Sequence, residues 1–320
     1  MAPPNKWNAD DIPSLDGKIA VVTGANSGLG YYTTRELARH GAHTIMACRS
    51  LERAEDAREQ LLAELDDASI EVMELDLANL ESIRAFAEAF EREHEALDLL
   101  VNNAGIMAIP RRETEDGFEM QIGVNHLGHF ALTGHLLDAL RESEGTARVV
   151  NVSSGAHQAG DIRFDDLHWR ETYSKWGAYA QSKLANLLFT YELDRRLRAA
   201  DDDIIATAAH PGYAATNLQM AGPEMEGSAI KRKFMEFANN LVAQSAEMGA
   251  LPTLYAASAR HVEGGDYIGP DGFMEMKGYP TRVESNKKSQ DRERARRLWE
   301  LSERETSVEF DLPTPSRAAA

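Results

Sequence analysis

The stretch KIAVVTGANSGLG, residues 18–30, decides the fold. Its first half is an unbroken apolar run rich in β-branched residues, which suits a strand buried on both faces. Its second half carries Gly24, Gly28 and Gly30. Glycines there let the backbone turn tightly and approach a pyrophosphate. The helix after the turn offers unpaired N–H groups to that anion. The spacing is G-x-x-x-G-x-G, not the six-residue dinucleotide fingerprint. Strand, glycine turn and helix in that order still describe a phosphate-binding βα unit.

The same alternation continues downstream. A helical stretch from Leu29 to His40 is stopped by Gly41, as a glycine past a helix end often does. HTIMAC (43–48), IEVMELD (70–76), LDLLVNNAG (97–105), ARVVNVSS (147–154) and DIIATAAHPG (203–212) read as further strands, and DYIG (266–269) as a seventh. Amphipathic helical patterns cover 51–65 and 80–94. Strands alternating with helices of this length predict a single-domain α/β fold. Its core is a Rossmann-type, doubly wound parallel sheet of about seven strands with flanking helices. Residues 1–16 read as a polar leader, 17–280 as the catalytic domain, and 281–320 as a C-terminal helix and loose tail. Residues 213–245 break the alternation and read as a lid.

Composition narrows the function. The chain has 320 residues, with 34 Lys+Arg against 52 Asp+Glu, a formal charge of −18. That balance argues against nucleic acid as a partner, because phosphate binding needs a basic surface. No apolar run is long enough for a transmembrane helix, and the first 17 residues lack the pattern of a signal peptide. The single cysteine, Cys48, suits a reducing compartment, and a cytoplasmic location is expected.

Tyr179 and Lys183 lie four apart in GAYAQSKLAN, on one face of a predicted helix. A tyrosine with a pKa near 10 is a poor base at neutral pH. A neighbouring ammonium, together with a second positive charge close by, favours the phenolate. Bringing the pKa down to about 7 requires roughly 4 kcal/mol of differential stabilisation. The phenol can then give a proton to a carbonyl oxygen or take one from an alcohol. Ser153 and Ser154 end the fifth strand, where open α/β sheets bind ligands. A hydroxyl there can stabilise developing charge on oxygen.

TGANSGLG, Asp76, NNAG (102–105), Asn125, the serine pair, Tyr179-x-x-x-Lys183 and Pro211-Gly212 occur in one order. This set resembles the short-chain dehydrogenase/reductase family over about residues 17 to 270. ACRS, GVNHLGHF, NVSS, YAQSKLAN and HPG look most like its retinol dehydrogenase and carbonyl reductase branch. The resemblance implies a catalytic set of Asn125, Ser154, Tyr179 and Lys183, with Ser153 structural. Asn125 would relay protons through water to the lysine, and Lys183 would also hold the nicotinamide ribose. The turn with Gly24, Asn26, Ser27, Gly28, Leu29 and Gly30 would cradle the cofactor. Asp76 would hold the adenine amino group, with Leu77 flanking the ring. Asn103, Ala104 and Gly105 would line the ribose side. Pro211, Gly212 and Thr216 would close the nicotinamide end.

An acid at the end of the second strand would bind ribose hydroxyls and repel a 2′-phosphate. In this family that position maps onto Cys48. Arg49 follows it and Arg53 lies one helical turn on. A guanidinium suits a phosphate by charge and by fork geometry, which favours NADP over NAD. His126 and His129 read as packing or hydrogen-bonding histidines, and no metal is expected.

Met220, Met225, Phe234, Met235 and Phe237 offer flexible apolar surface. They suggest a hydrophobic ketone, aldehyde or alcohol as substrate. The resemblance implies a homodimer or homotetramer, and DRERARRLWELSERE (291–305) reads as a helix that docks on the body or on a partner subunit. Two alternatives stay open: reduction of a carbon–carbon double bond, and an NADP(H)-binding scaffold or sensor without turnover.

Overall fold

The computed structural model describes residues 6–213 and 244–315. Thr216 and nearly all of the predicted lid therefore lie outside the described residues. Eight strands form one sheet in the order β3-β2-β1-β4-β5-β6-β7-β8. They are β1 (Ile19–Thr23), β2 (His43–Cys48), β3 (Ile70–Glu74), β4 (Leu99–Asn102), β5 (Ala147–Val152), β6 (Ile204–Ala209), β7 (Tyr267–Pro270) and β8 (Pro280–Arg282). All pairs are parallel except β7 with β8. The eighth strand has no signal in the sequence. It has three residues, too few to show a period of two.

Among the described residues seven longer helices flank the sheet. They are α1 (Gly28–Arg39), α2 (Leu51–Glu64), α3 (Leu80–Glu93), α4 (Gly128–His135), α5 (Lys175–Ala200), α6 (Ala246–Ser258) and α7 (Arg292–Thr306). Side chains alternate across a strand, so a strand buried on both sides is apolar throughout. Val21, Ile45 and Leu100 face one layer, where Phe86 and Phe90 of α3, Phe130 of α4 and Phe189 of α5 pack. Ala20, Val22 and Met46 face the other. There they meet Leu37 of α1, Leu61 of α2 and Leu254 of α6. Helix α6, with Pro252 inside it, has no counterpart among the elements expected from sequence. It is almost wholly buried, so it shows no amphipathic stripe.

Helix α5 starts at Lys175, two residues before the expected Gly177, because Ser174 caps it by accepting from the Gly177 N–H. The C-terminal helix α7 docks on the body of its own chain. Trp299 is 2% exposed and packs 5.2 Å from Phe130, 5.8 Å from Phe189 and 4.6 Å from Phe310. Truncating such an anchor costs about 3–5 kcal/mol. Much of the outer side of α4 and α5 is thereby covered within one chain. Among the described residues no helix is long and apolar enough to cross a membrane.

Candidate functional site

The strand order reverses between β1 and β4, and ligands of open α/β sheets bind at the carboxyl ends of the strands beside such a reversal. A cleft of about 330 Å³ opens there. Gly24, Asn26 and Ser27 line it from the turn after β1, and Ala104 and Gly105 from the loop after β4. Asp76 and Leu77, past β3, form its far wall with Cys48, Arg49 and Arg53.

The glycine turn is built for close approach. Gly24 has φ +65°, and a Cβ on it would lie 3.0 Å from the Ala104 Cβ. A Cβ on Gly30 would collide with the Gly24 carbonyl and fall 2.6 Å from the Asn103 amide nitrogen. Gly28 and Leu29 open α1, and its first N–H groups face the turn. The Asn103 side chain donates to the Thr23 carbonyl at 2.7 Å, so it braces the turn.

Thr23 heads the TGANSGLG motif, but the motif by itself assigns its side chain no role. Its Oγ1 accepts from the N–H groups of Asn103 and Ala104, both at 2.9 Å. It also lies 2.9 Å from His129 Nε2, whose other ring nitrogen is 3.1 Å from the Asn125 carbonyl. With two donors already on Thr23 Oγ1, its own proton goes to His129 Nε2, and His129 Nδ1–H donates to Asn125. One buried histidine thus ties the cofactor cleft to the Asn125 segment. Burial pushes the pKa of both His129 and His126 down to about 3. His126 Nε2 is hydrogen-bonded with Ser302 of α7 at 2.9 Å. Both histidines are packing and hydrogen-bonding groups, as their sequence context suggests.

At the end of β2 stands Cys48, a neutral thiol in place of an acid. Burial raises its pKa, and the nearby backbone N–H groups of Ala25 and Asn26 oppose the rise. Arg49 and Arg53 both line the cleft. So does Arg112, a third guanidinium, which no motif in the sequence signals.

The catalytic candidates converge at the other end. Asn125 sits in a wide π-helical turn, Gly123–Leu127, a local expansion often found at functional sites. Its side chain accepts from the Ile106 N–H at 2.8 Å and donates to the Ile106 carbonyl at 3.0 Å and Ser182 Oγ at 2.9 Å. Tyr179 and Lys183 project from α5 and are buried. The Ser154 side chain faces the Tyr179 phenol and opposes the upward shift of its pKa. Lys183 Nζ donates to the Val152 carbonyl at 3.0 Å. Ser153 Oγ donates to the Lys183 carbonyl at 2.8 Å, a bracing contact. A Cβ on Gly105 would lie 3.2 Å from Asn125 Oδ1 and 3.5 Å from Lys183 Nζ, so the cleft and this cluster share a wall.

In this setting burial lowers the Lys183 pKa to about 8 and raises that of Tyr179, with the neighbouring Ser154 side chain opposing the rise. The lowering expected for Tyr179 rests on two positive charges, the ammonium and a bound nicotinamide ring. Within the protein itself desolvation of the phenolate outweighs the ammonium, which is turned toward Val152. Pro211 and Gly212 follow β6. Gly212 has φ +63°, and its neighbour Tyr213 donates to the Met276 carbonyl at 2.8 Å.

Comparison with known proteins fits this geometry. The family model for short chain dehydrogenases matches residues 18–227.

The chain belongs to the short-chain dehydrogenase family.

Human retinol dehydrogenase 13 is 43% identical over 300 residues, which span 92% of this chain and 86% of that protein. Mouse polyprenol dehydrogenase is 41% identical over 293 residues, 90% of this chain and 83% of that protein. A solved structure of an uncharacterised protein from Mycobacterium paratuberculosis is 46% identical, covers 96% of this chain and all of its own, and has a TM-score of 0.79. This short-chain dehydrogenase falls in the retinol dehydrogenase branch and is an oxidoreductase whose fold binds a nicotinamide cofactor.

Proposed function

We propose that this enzyme interconverts a hydrophobic ketone or aldehyde and its alcohol, with NADP(H) as the redox partner and Tyr179 as the general acid and base. The observation that carries the reading is the meeting of buried Tyr179, Lys183 and Asn125 at one end of the cleft, with Lys183 Nζ 5.9 Å from the centre of the Tyr179 ring and Ser154 beside the phenol.

The cleft fits the cofactor. Its turn excludes side chains where a pyrophosphate would approach, and its far end presents Arg49 and Arg53 where a 2′-phosphate would lie. Asp76 and Leu77 would hold the adenine, and Gly24 to Gly30 the pyrophosphate. When bound, the nicotinamide supplies or accepts the hydride.

The protein's own groups handle the proton. Tyr179, neutral at pH 7 in its buried setting, donates to the carbonyl oxygen during reduction. Ser154 donates to the same oxygen and aligns it. Lys183 carries a positive charge at neutral pH, since its pKa stays near 8, and so favours the phenolate that forms. Asn125 holds the Ile106 loop and Ser182 rigid beside the lysine, a setting for a water relay.

Exposed apolar side chains adjoin this end. Trp176 is 53% exposed and packs edge-on against Tyr179 with ring centres 6.3 Å apart. Phe273 and Met274, 85% and 74% exposed, belong to the turn that meets Gly212. Retinol and polyprenol, named in the two relatives, are hydrophobic alcohols, which supports the same substrate class.

The test is NADPH and NADH absorbance on mixing the enzyme with hydrophobic aldehydes and ketones, with product analysis. Allylic alcohol from an unsaturated carbonyl supports the reading. A saturated ketone would show double-bond reduction instead. Turnover at the wild-type rate in Tyr179→Phe would falsify it.

A further inference from the structure

A second cluster lies at the opposite end of the sheet. His43 opens β2, Glu71 is the second residue of β3, and His94 ends α3. Ile45 pairs with Glu71 across the two strands. Side chains two apart on a strand share a face, so His43, Ile45, Ser69 and Glu71 all face the layer occupied by α3. His94 lies one helical turn after Phe90 and packs on it, with ring centres 4.9 Å apart. Helix and strands therefore bring the three side chains to one point.

The geometry at that point is close. His43 Nε2 lies 3.2 Å, and His94 Nε2 3.3 Å, from the same oxygen, Glu71 Oε2. The three ligand atoms all fall within 4.8 Å of one another. His43 Nδ1 is 2.7 Å from Ser69 Oγ. That bond fixes the ring and leaves Nε2 for the cluster, as outer hydrogen bonds do for metal-binding histidines. His94 Nε2 is buried and, among the described residues, makes no well-directed hydrogen bond, although it stands within ion-pair distance of Glu71 Oε2. One carboxylate oxygen facing two imidazole nitrogens leaves His94 Nε2 without a well-directed hydrogen bond, whereas a cation shared by all three satisfies it. Zinc bonds of about 2.0–2.2 Å in a tetrahedron set neighbouring ligand atoms roughly 3.3 Å apart, and the two measured separations match.

We infer that His43, Glu71 and His94 bind one divalent transition-metal ion, zinc before the harder cations. Two imidazoles and one carboxylate form a donor set suited to zinc, with a fourth position left for water. The side chains are 29%, 29% and 12% exposed, which leaves a path for the ion. The role is structural. β3 is an edge strand, and the ion would tie it to β2 and to the end of α3. His43 and Cys48 stand at opposite ends of β2, about 17 Å apart at the usual strand rise, so the ion takes no part in the cofactor cleft.

The experiment titrates the full chain, stripped with a chelator, with zinc chloride by calorimetry and with cobalt chloride by visible absorption. The expected result is one equivalent of zinc bound, a higher melting temperature with zinc, and the intense visible bands of four-coordinate cobalt. Glu71→Gln and His94→Gln should each weaken zinc binding at least about tenfold and abolish the cobalt bands, with unchanged circular dichroism. If one variant fails to fold, His43→Gln, at a more exposed position, replaces it. The inference is overturned if wild type shows no saturable one-to-one binding. It is equally overturned if the folded variants bind zinc as tightly as wild type, since other residues would then hold the ion.

Discussion

The Lys183 ammonium lies 5.9 Å from the centre of the Tyr179 ring and donates to the Val152 carbonyl, which also accepts from the Asn186 amide at 3.1 Å. Removing the lysine therefore leaves Val152 with a partner. Its pKa, lowered from 10.5 to about 8, corresponds to roughly 3 kcal/mol of burial penalty while the lysine is charged. Below pH 8 the side chain is charged both folded and unfolded, so the penalty is full. It is relieved as pH rises from about 8 toward 10.5. Lys183→Met should raise the melting temperature by several degrees at pH 7 and by less at pH 10, while kcat falls at least about hundredfold. Thermal melts at the two pH values, with steady-state rates, check both parts.

Tyr179→Phe removes the proton donor but leaves the apolar ring in place. Carbonyl reduction should fall by about 10²–10⁴-fold with cofactor binding intact. In wild type the raised Tyr179 pKa keeps the phenol protonated at neutral pH, which suits reduction. Alcohol oxidation needs the phenolate, so its rate should climb with pH while reduction stays level between pH 6 and 8. A pH profile measured in both directions decides this.

Arg49 and Arg53 carry the case for NADP. Charge-assisted bonds to phosphate are worth about 1.5–3 kcal/mol, so Arg49→Ser should raise the KM for NADPH roughly 10- to 100-fold. The KM for NADH should barely move. Adding Cys48→Asp should invert the preference, because an acid there favours ribose hydroxyls. Equal losses with both cofactors would mean that Arg49 acts on the turn and not on a phosphate.

Thr23 Oγ1 serves the N–H groups of Asn103 and Ala104 at once. In Thr23→Val both donors lose their acceptor, at a cost of about 1–3 kcal/mol for each one left unpaired. The melting temperature should drop and the cofactor KM should rise together. Thr23→Ser should restore both, which denaturation curves and kinetics on the pair of variants will show.

Acid should unfold the protein through two buried histidines. His126 and His129 have folded pKa values near 3, below the unfolded 6.5, so the unfolded chain binds more protons across that window. Stability is lost as pH falls below 6.5, by about 2 kcal/mol for each histidine at pH 5. Urea titrations at pH 7 and pH 5 measure the difference. A His126→Phe variant should show a shallower decline.

Much of this was legible in local sequence. The run Ile19–Val22 is apolar at every position because the two helical layers take alternate side chains, Val21 for one and Ala20 and Val22 for the other. The glycine turn and the Tyr179-x-x-x-Lys183 spacing are likewise local, fixed by backbone sterics and helix pitch. Strand β8 and helix α6 escaped for a matching reason: one is too short for a period and the other too buried for a stripe. Arg112 enters the cleft from a loop, where no periodicity points to a partner.

The sequence by itself determined seven of the eight strands, the order of the βα units, and which residue types stand at the carboxyl ends of the strands. These depend on neighbours a few positions away. Tertiary structure alone decided that Thr23 braces Asn103, that α7 closes over α4 and α5, and that Lys183 turns to Val152 while Tyr179 turns to Ser154. It also decided that His43, Glu71 and His94 meet. Such contacts depend on strand register and the seating of helices on the sheet, which are set by the packing of the whole core and by no local stretch of chain.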